Sequence, residues 1–381
     1  MSSFDYLLMT PGPVRIPDKI LLELAKPMIH HRTPEFEGIL QKTLRQLKEV
    51  FKTQQPVLIQ CSTGSGAMES ALVNTLSPGD EVVAIVSGKF GERWAQMARA
   101  FQYQVHEINV PWGEAVKPEV LQKALQQHPH TQAVLCQACE TSTAVLHPIQ
   151  HLSKIIKENS KALFLVDGIT AIGVTELSMD EWGIDVLVGG AQKSFMLPTG
   201  LSFLSFSPTA LEAATKAKTP RYYWDIQQEL LANKKGQTFF SSPVSHIRAL
   251  SVALDILLEE GIDSQITKFN KLAKALRASA EVMGLKNYSQ SPSPSVTALL
   301  MPASINSEKL REHLENQYNL TLMGGQDSLK EKILRIGTMG NVSPENIEDT
   351  LKRLALGLND FGHPTNIEEA LQVFRKTWRT P

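Results

Sequence analysis

The stretch Gly183-Ile-Asp-Val-Leu-Val-Gly-Gly-Ala-Gln-Lys-Ser-Phe-Met-Leu-Pro-Thr-Gly200 carries one lysine, Lys193, among small and apolar neighbours. The run Ile184 to Val188 reads as a strand buried on both faces, and it delivers Lys193 into a turn of small residues. Lysines are almost never fully buried unless paired, so a solvated loop charge is the ordinary reading. Here Gly189-Gly190-Ala191 precede the lysine and Phe195-Met196-Leu197 follow it. Such flanks solvate an ammonium poorly and push its pKa down, leaving a nucleophilic amine.

An amine of this kind condenses with an aldehyde, which is how pyridoxal 5′-phosphate (PLP) is held as a Schiff base. PLP also needs an anion beside its pyridinium nitrogen, a phosphate cradle and a ring over its face. A cradle is offered by Val57-Leu-Ile-Gln-Cys, a strand, running into Ser62-Thr63-Gly64-Ser65-Gly66-Ala67 and an apolar helix. Free N–H groups and the helix dipole converge at such a junction. The loop is neither a Walker A sequence nor a G-x-G-x-x-G fingerprint, and Gly/Ser turns often only cap helices. Phe90 follows another buried strand, Glu81 to Ser87, where its ring either covers a ligand or staples the next helix. Asp167 ends the apolar strand Leu163-Phe-Leu-Val. There it is either the partner of a pyridinium N–H or part of an Asp-Gly turn. It lies 26 residues before Lys193, one crossover connection, so both fall on neighbouring strand ends.

Between them the pattern alternates: strand 103–110, helix 118–127, strand 132–139, helix 148–158, strand 162–166 and strand 184–189. This is an α/β series on a mostly parallel sheet, with the strand C-termini sharing one crevice. Residues 1–20 form an N-terminal arm, and Met9 to Pro17 are too rich in Pro and Gly for helix or strand. Residues 21–260 form a large domain and 261–381 a smaller C-terminal α+β domain. Within the smaller domain Arg335 sits in an apolar strand and needs an anionic partner, either a structural carboxylate or a substrate's. The tail, Ile367 to Arg379, reads as an amphipathic helix.

With a net charge of -1, the 381 residues show no footprint for nucleic acid or an anionic membrane. No apolar run approaches the roughly 20 residues that span a bilayer. Neither Met1-Ser-Ser-Phe-Asp nor Arg379-Thr380-Pro381 matches an address signal, so a cytoplasmic location is expected. Three cysteines, Cys61, Cys136 and Cys139, suit a reducing compartment. Cys136 and Cys139 sit three apart on a strand and so point to opposite faces. No metal site is expected.

The assembled set resembles the class V aminotransferases among the fold-type I PLP enzymes, in the alanine–glyoxylate and serine–glyoxylate branch. The likeness runs from Thr10-Pro11-Gly12-Pro13 to Leu334-Arg335-Ile336-Gly337. It implies a seven-stranded, mostly parallel sheet in the large domain. It also implies a phosphate held by Ser65, Gly66, Ala67 and Gln192, with Lys193 as the covalent anchor and Asp167 on the pyridine nitrogen. Phe90 stands in the stacking place, where family members often have tryptophan, and Ser142 lies near the phenolic oxygen. Gly12 and Arg335 face the substrate and its carboxylate. Thr238 and Ser241 match a segment that reaches the phosphate of a second subunit, implying a homodimer with composite sites.

The expected activity is amino transfer between alanine or serine and glyoxylate or pyruvate, with His31 and Arg32 as candidates for choosing the donor. Similar sequences include cyanobacterial polypeptides named soluble hydrogenase small subunits, so a non-catalytic or regulatory subunit on this fold is the alternative. Three cysteines without cluster spacing do not supply nickel–iron or iron–sulfur ligands. Cysteine desulfurase chemistry would need a stacked histidine and a later cysteine, and neither is present.

Overall fold

The computed structural model describes residues 4–380; the first three residues of the arm and the final Pro381 lie outside them. Seven strands form the main sheet: β1 (Val57–Gln60), β2 (Glu81–Val86), β3 (Gln104–Asn109), β4 (Thr131–Gln137), β5 (Leu163–Asp167), β6 (Val186–Gly190) and β7 (Ser202–Phe206). Their order across the sheet is β1-β7-β6-β5-β4-β2-β3, and β7 alone runs antiparallel to its neighbours.

Near-continuous apolar strands need cover on both faces, and alternate residues go to opposite sides. In β2, Val83 and Ile85 join one buried cluster, while Val82, Ala84 and Val86 join the other. The Gly64–Thr75 and Lys89–Ala100 helices cover the second face. The Pro34–Phe51, Pro118–Gln127 and Ile149–Asn159 helices lie on the first.

A second, antiparallel sheet follows the order β8 (Lys286–Asn287), β9 (Val296–Leu300), β11 (Ile333–Gly337), β10 (Met323–Gly324). The Ile262–Val282 helix packs along the C-terminal Ile367–Arg379 helix beside it. The long helical region breaks at Gly261, φ +81°, between Val244–Glu260 and Ile262–Val282. A positive φ there suits glycine and ends the first helix. We propose this break as the domain boundary.

The arm is tied down. Leu7 and Leu8 pair in parallel with Leu320 and Thr321, and the Gly337 N–H donates to the Met9 carbonyl at 2.8 Å. A Cβ on Gly337 would lie 2.1 Å from the Thr10 carbonyl oxygen, so the approach requires glycine. Residues 208–240 contain two helices, Pro208–Lys216 and Ile226–Asn233. Their caps, Ser207 and Asp225, carry the signal. No helix of the described residues is long and apolar enough to cross a membrane.

Candidate active site

Asp167 ends β5 and Lys193 lies three residues beyond β6, so parallel pairing brings both to the C-terminal edge of the sheet. The turn that presents the lysine is held by bonds from the Ala191 N–H to the Leu201 carbonyl and from the Leu197 N–H to the Ala191 carbonyl. Met196 takes φ +55° within it. The Lys193 amine donates to the Pro11 carbonyl. Burial pushes the amine down to about 8, although Asp167 pulls it the other way. Asp167 is 5% exposed, and burial lifts its carboxyl to about 7 against the Ile169 N–H, which donates to Oδ1 at 2.9 Å.

Gly12, at φ +97°, lies against this amine: a Cβ there would come within 2.4 Å of Lys193 Nζ. Glycine at this position permits the close backbone approach of the arm to the lysine.

The Gly64–Thr75 helix begins with no side-chain cap on its amides, and Ser65 and Gly66 stand in its first turn. Arg93 adds charge there, its Nη1 donating to Ser65 Oγ at 3.2 Å while its guanidinium covers the Phe90 ring at 4.9 Å. Arg93 went unassigned in the sequence; its spacing of three from Phe90 on one helix was the available signal. Ala67 is fully buried one position further. Gln192 is partly buried with an unpartnered side-chain oxygen.

Glu140 was also missed. It is fully buried, and its carboxylate accepts from the N–H groups of Phe90 (3.1 Å), Gly91 (3.0 Å) and Ser142 (3.1 Å) and from the Ser142 hydroxyl (2.5 Å). Burial raises its pKa and these donors lower it. Ser142 Oγ in turn accepts from the Lys89 N–H at 3.0 Å. The Ser142 hydroxyl is therefore committed to Glu140.

Arg335, 4% exposed, donates to two carbonyls, Gly324 at 2.9 Å and Thr141 at 3.1 Å. Burial lowers it to about 10, so it stays cationic at neutral pH. No carboxylate of the described residues forms an ion pair with it, and the structural partner anticipated as an alternative is not found.

Thr238 bonds within its own loop, to the Phe240 carbonyl at 2.8 Å and to Ser242 Oγ. Ser241 lines a recess with Cys61, Tyr223 and Glu229. Neither bonds to Lys193 or Asp167 in this chain. His31 and Arg32 bond to one another at 3.4 Å near the surface, not to this site.

An anion-receiving helix start, a buried acid, an enclosed amine and a ring at the crevice fit a phosphate-bearing aromatic aldehyde such as PLP. The fold, a mostly parallel seven-stranded sheet beside a smaller antiparallel one, is that of the fold-type I transferases. The chain matches the Aminotransferase class-V family over residues 22–349 and belongs to that family. It is 36% identical over 361 residues to the soluble hydrogenase 42 kDa subunit of Anabaena cylindrica, across 94% of both chains. It is 34% identical over 366 residues to the serine–glyoxylate aminotransferase of Arabidopsis thaliana, across 94% of this chain and 91% of that one. Its fold superposes on ureidoglycine–glyoxylate aminotransferase from Bacillus subtilis with a TM-score of 0.94, at 26% identity over the whole of both.

Proposed function

We propose that this aminotransferase uses PLP to move an amino group from alanine or serine to glyoxylate or pyruvate. The observation that carries the reading is an enclosed lysine and aspartate on one sheet edge, with a buried arginine, Arg335, that no carboxylate of the described residues pairs. The serine–glyoxylate name of one relative supports the same substrate class.

When bound, PLP supplies an electron sink for negative charge developing at the substrate Cα. Lys193 would anchor it covalently. Its amine, once free and already lowered toward about 8, would take and return the Cα proton. Asp167 would keep the ring nitrogen protonated by a charge-assisted bond. The Ser65 amide, with the Gly66 and Ala67 amides once they leave the Thr63 carbonyl, and with Gln192 and Arg93, would hold the phosphate. Phe90 would cover the ring once Arg93 shifts from its face. Ser142 would reach the phenolic oxygen only by exchanging Glu140 as partner. Arg335 would fix each carboxylate in turn, with the Gly12 backbone closing the pocket.

Thr238 and Ser241 would complete the phosphate site of a second copy, in a cytoplasmic homodimer. The aromatic surface beside them supports this, with Tyr222 77% and Tyr223 47% exposed.

The test is the visible absorbance of the cofactor-loaded protein. Serine or alanine should bleach the band and glyoxylate should restore it. A band that no amino acid moves would favour a non-catalytic subunit instead.

A further inference from the structure

We propose that Glu81, His106 and His128 bind a divalent cation of the zinc class at the strand-start edge of the main sheet, the edge opposite Lys193. The topology builds the cluster. Glu81 opens β2 and pairs with Gln104, so His106, two residues further along β3, shares its face. Thr131 at the start of β4 pairs with Glu81 too, which places the preceding loop over the same end. Thr131 also fixes that loop, donating from its N–H at 3.1 Å and its hydroxyl at 2.7 Å to the His128 carbonyl.

One donor atom from each of the three side chains lies within 4.8 Å of the other two. His106 Nε2 and Glu81 Oε2 are 3.3 Å apart. Ligands of a tetrahedral zinc ion at ordinary bond lengths sit roughly 3.3 Å from one another, so the three donors must draw together by a side-chain rotation to share one ion. The two imidazoles stack with centroids 3.5 Å apart and 14° between planes, so one ring must turn out of the stack for both nitrogens to aim at one ion. Two imidazoles and a carboxylate are the donor set that zinc prefers, with a further position left for water.

The side chains of His106 and Glu81 are 30% and 25% exposed, open enough for an ion to enter. A groove of about 310 Å³ reaches both histidines. Lys123 lines it as an opposing charge, but its side chain is exposed and flexible enough to swing into solvent. The ion would tie edge strand β3 to the loop before β4.

Equilibrium dialysis of the chelator-stripped, PLP-reloaded protein against Zn²⁺ tests this, with bound zinc counted by mass spectrometry. Wild type should retain one more zinc per chain than His106→Gln/His128→Gln, and Zn²⁺ should raise the melting temperature of wild type alone. Equal zinc in the two proteins overturns the proposal. Should the double variant not fold, Glu81→Gln carries the same comparison: at least tenfold weaker zinc binding is expected, and unchanged binding overturns the site.

Discussion

The Phe90 N–H donates to the Glu140 carboxylate at 3.1 Å, across 50 residues of sequence. The adjoining Gly91 N–H donates to the same oxygen at 3.0 Å. A buried carboxylate thus replaces a cap at the start of the Lys89–Ala100 helix and decides where the Phe90 ring stands. Replacing Glu140 by Ala strands these donors in the core. A loss of about 2–4 kcal/mol is expected on denaturant unfolding. Weaker holding of PLP, by roughly tenfold, is expected on dialysis, because the ring loses its fixed seat. Full retention of both would show that Glu140 only fills space.

Gly12→Ala combines a positive φ with a Cβ 2.4 Å from the Lys193 amine. The lysine would have to move, and reactions that depend on its aim lose about a hundredfold from a displacement near 1 Å. Steady-state kinetics should show that drop in kcat while the fold, followed by circular dichroism, persists. Wild-type rates would refute the close approach.

Arg335→Lys keeps the charge but loses the planar fork that receives a carboxylate. A rise in KM for the amino donor of roughly tenfold to a hundredfold is expected, with PLP still bound. Equal KM values would place the substrate carboxylate elsewhere.

Stability of the cofactor-stripped protein should dip between about pH 7 and 8. Asp167 has its folded pKa raised from 3.8 to about 7, so the folded state binds the proton more tightly and loses stability as pH climbs through that interval. Lys193 is lowered from 10.5 to about 8, so the unfolded state holds the extra proton above pH 8 and stability recovers towards pH 10. The acid-side decline is worth up to ~4 kcal/mol. Melting temperatures across pH should show it in wild type and not in Asp167→Asn; identical profiles would contradict the shift.

The main sheet was legible because its strands are apolar and its helices keep a 3.6-residue period. The Ile367–Arg379 helix falls on the residues expected. Lys193, Asp167 and Gly12 were legible because each breaks its local pattern: a charge among apolar residues, or a glycine among prolines. Glu140 was not, because an acid in a Thr/Ser loop looks like surface until the fold encloses it. Arg93 looks like an ordinary polar helix face for the same reason. The histidine pair lies 22 residues apart with no shared spacing rule, and only strand pairing joins it. The commitment of the Ser142 hydroxyl to Glu140 depends on rotamers that no linear pattern encodes.

The bond from Gly337 to Met9 makes the N-terminal arm and the arginine-bearing strand β11 a single mechanical part. Arg335 is two residues from one end of that tie and Pro11 two residues from the other. The arginine's strand and the carbonyl that accepts from the lysine are thus joined through one backbone hydrogen bond. On the proposed reading, a carboxylate held by Arg335 would load the same strand whose Gly337 N–H holds the arm that accepts from the lysine.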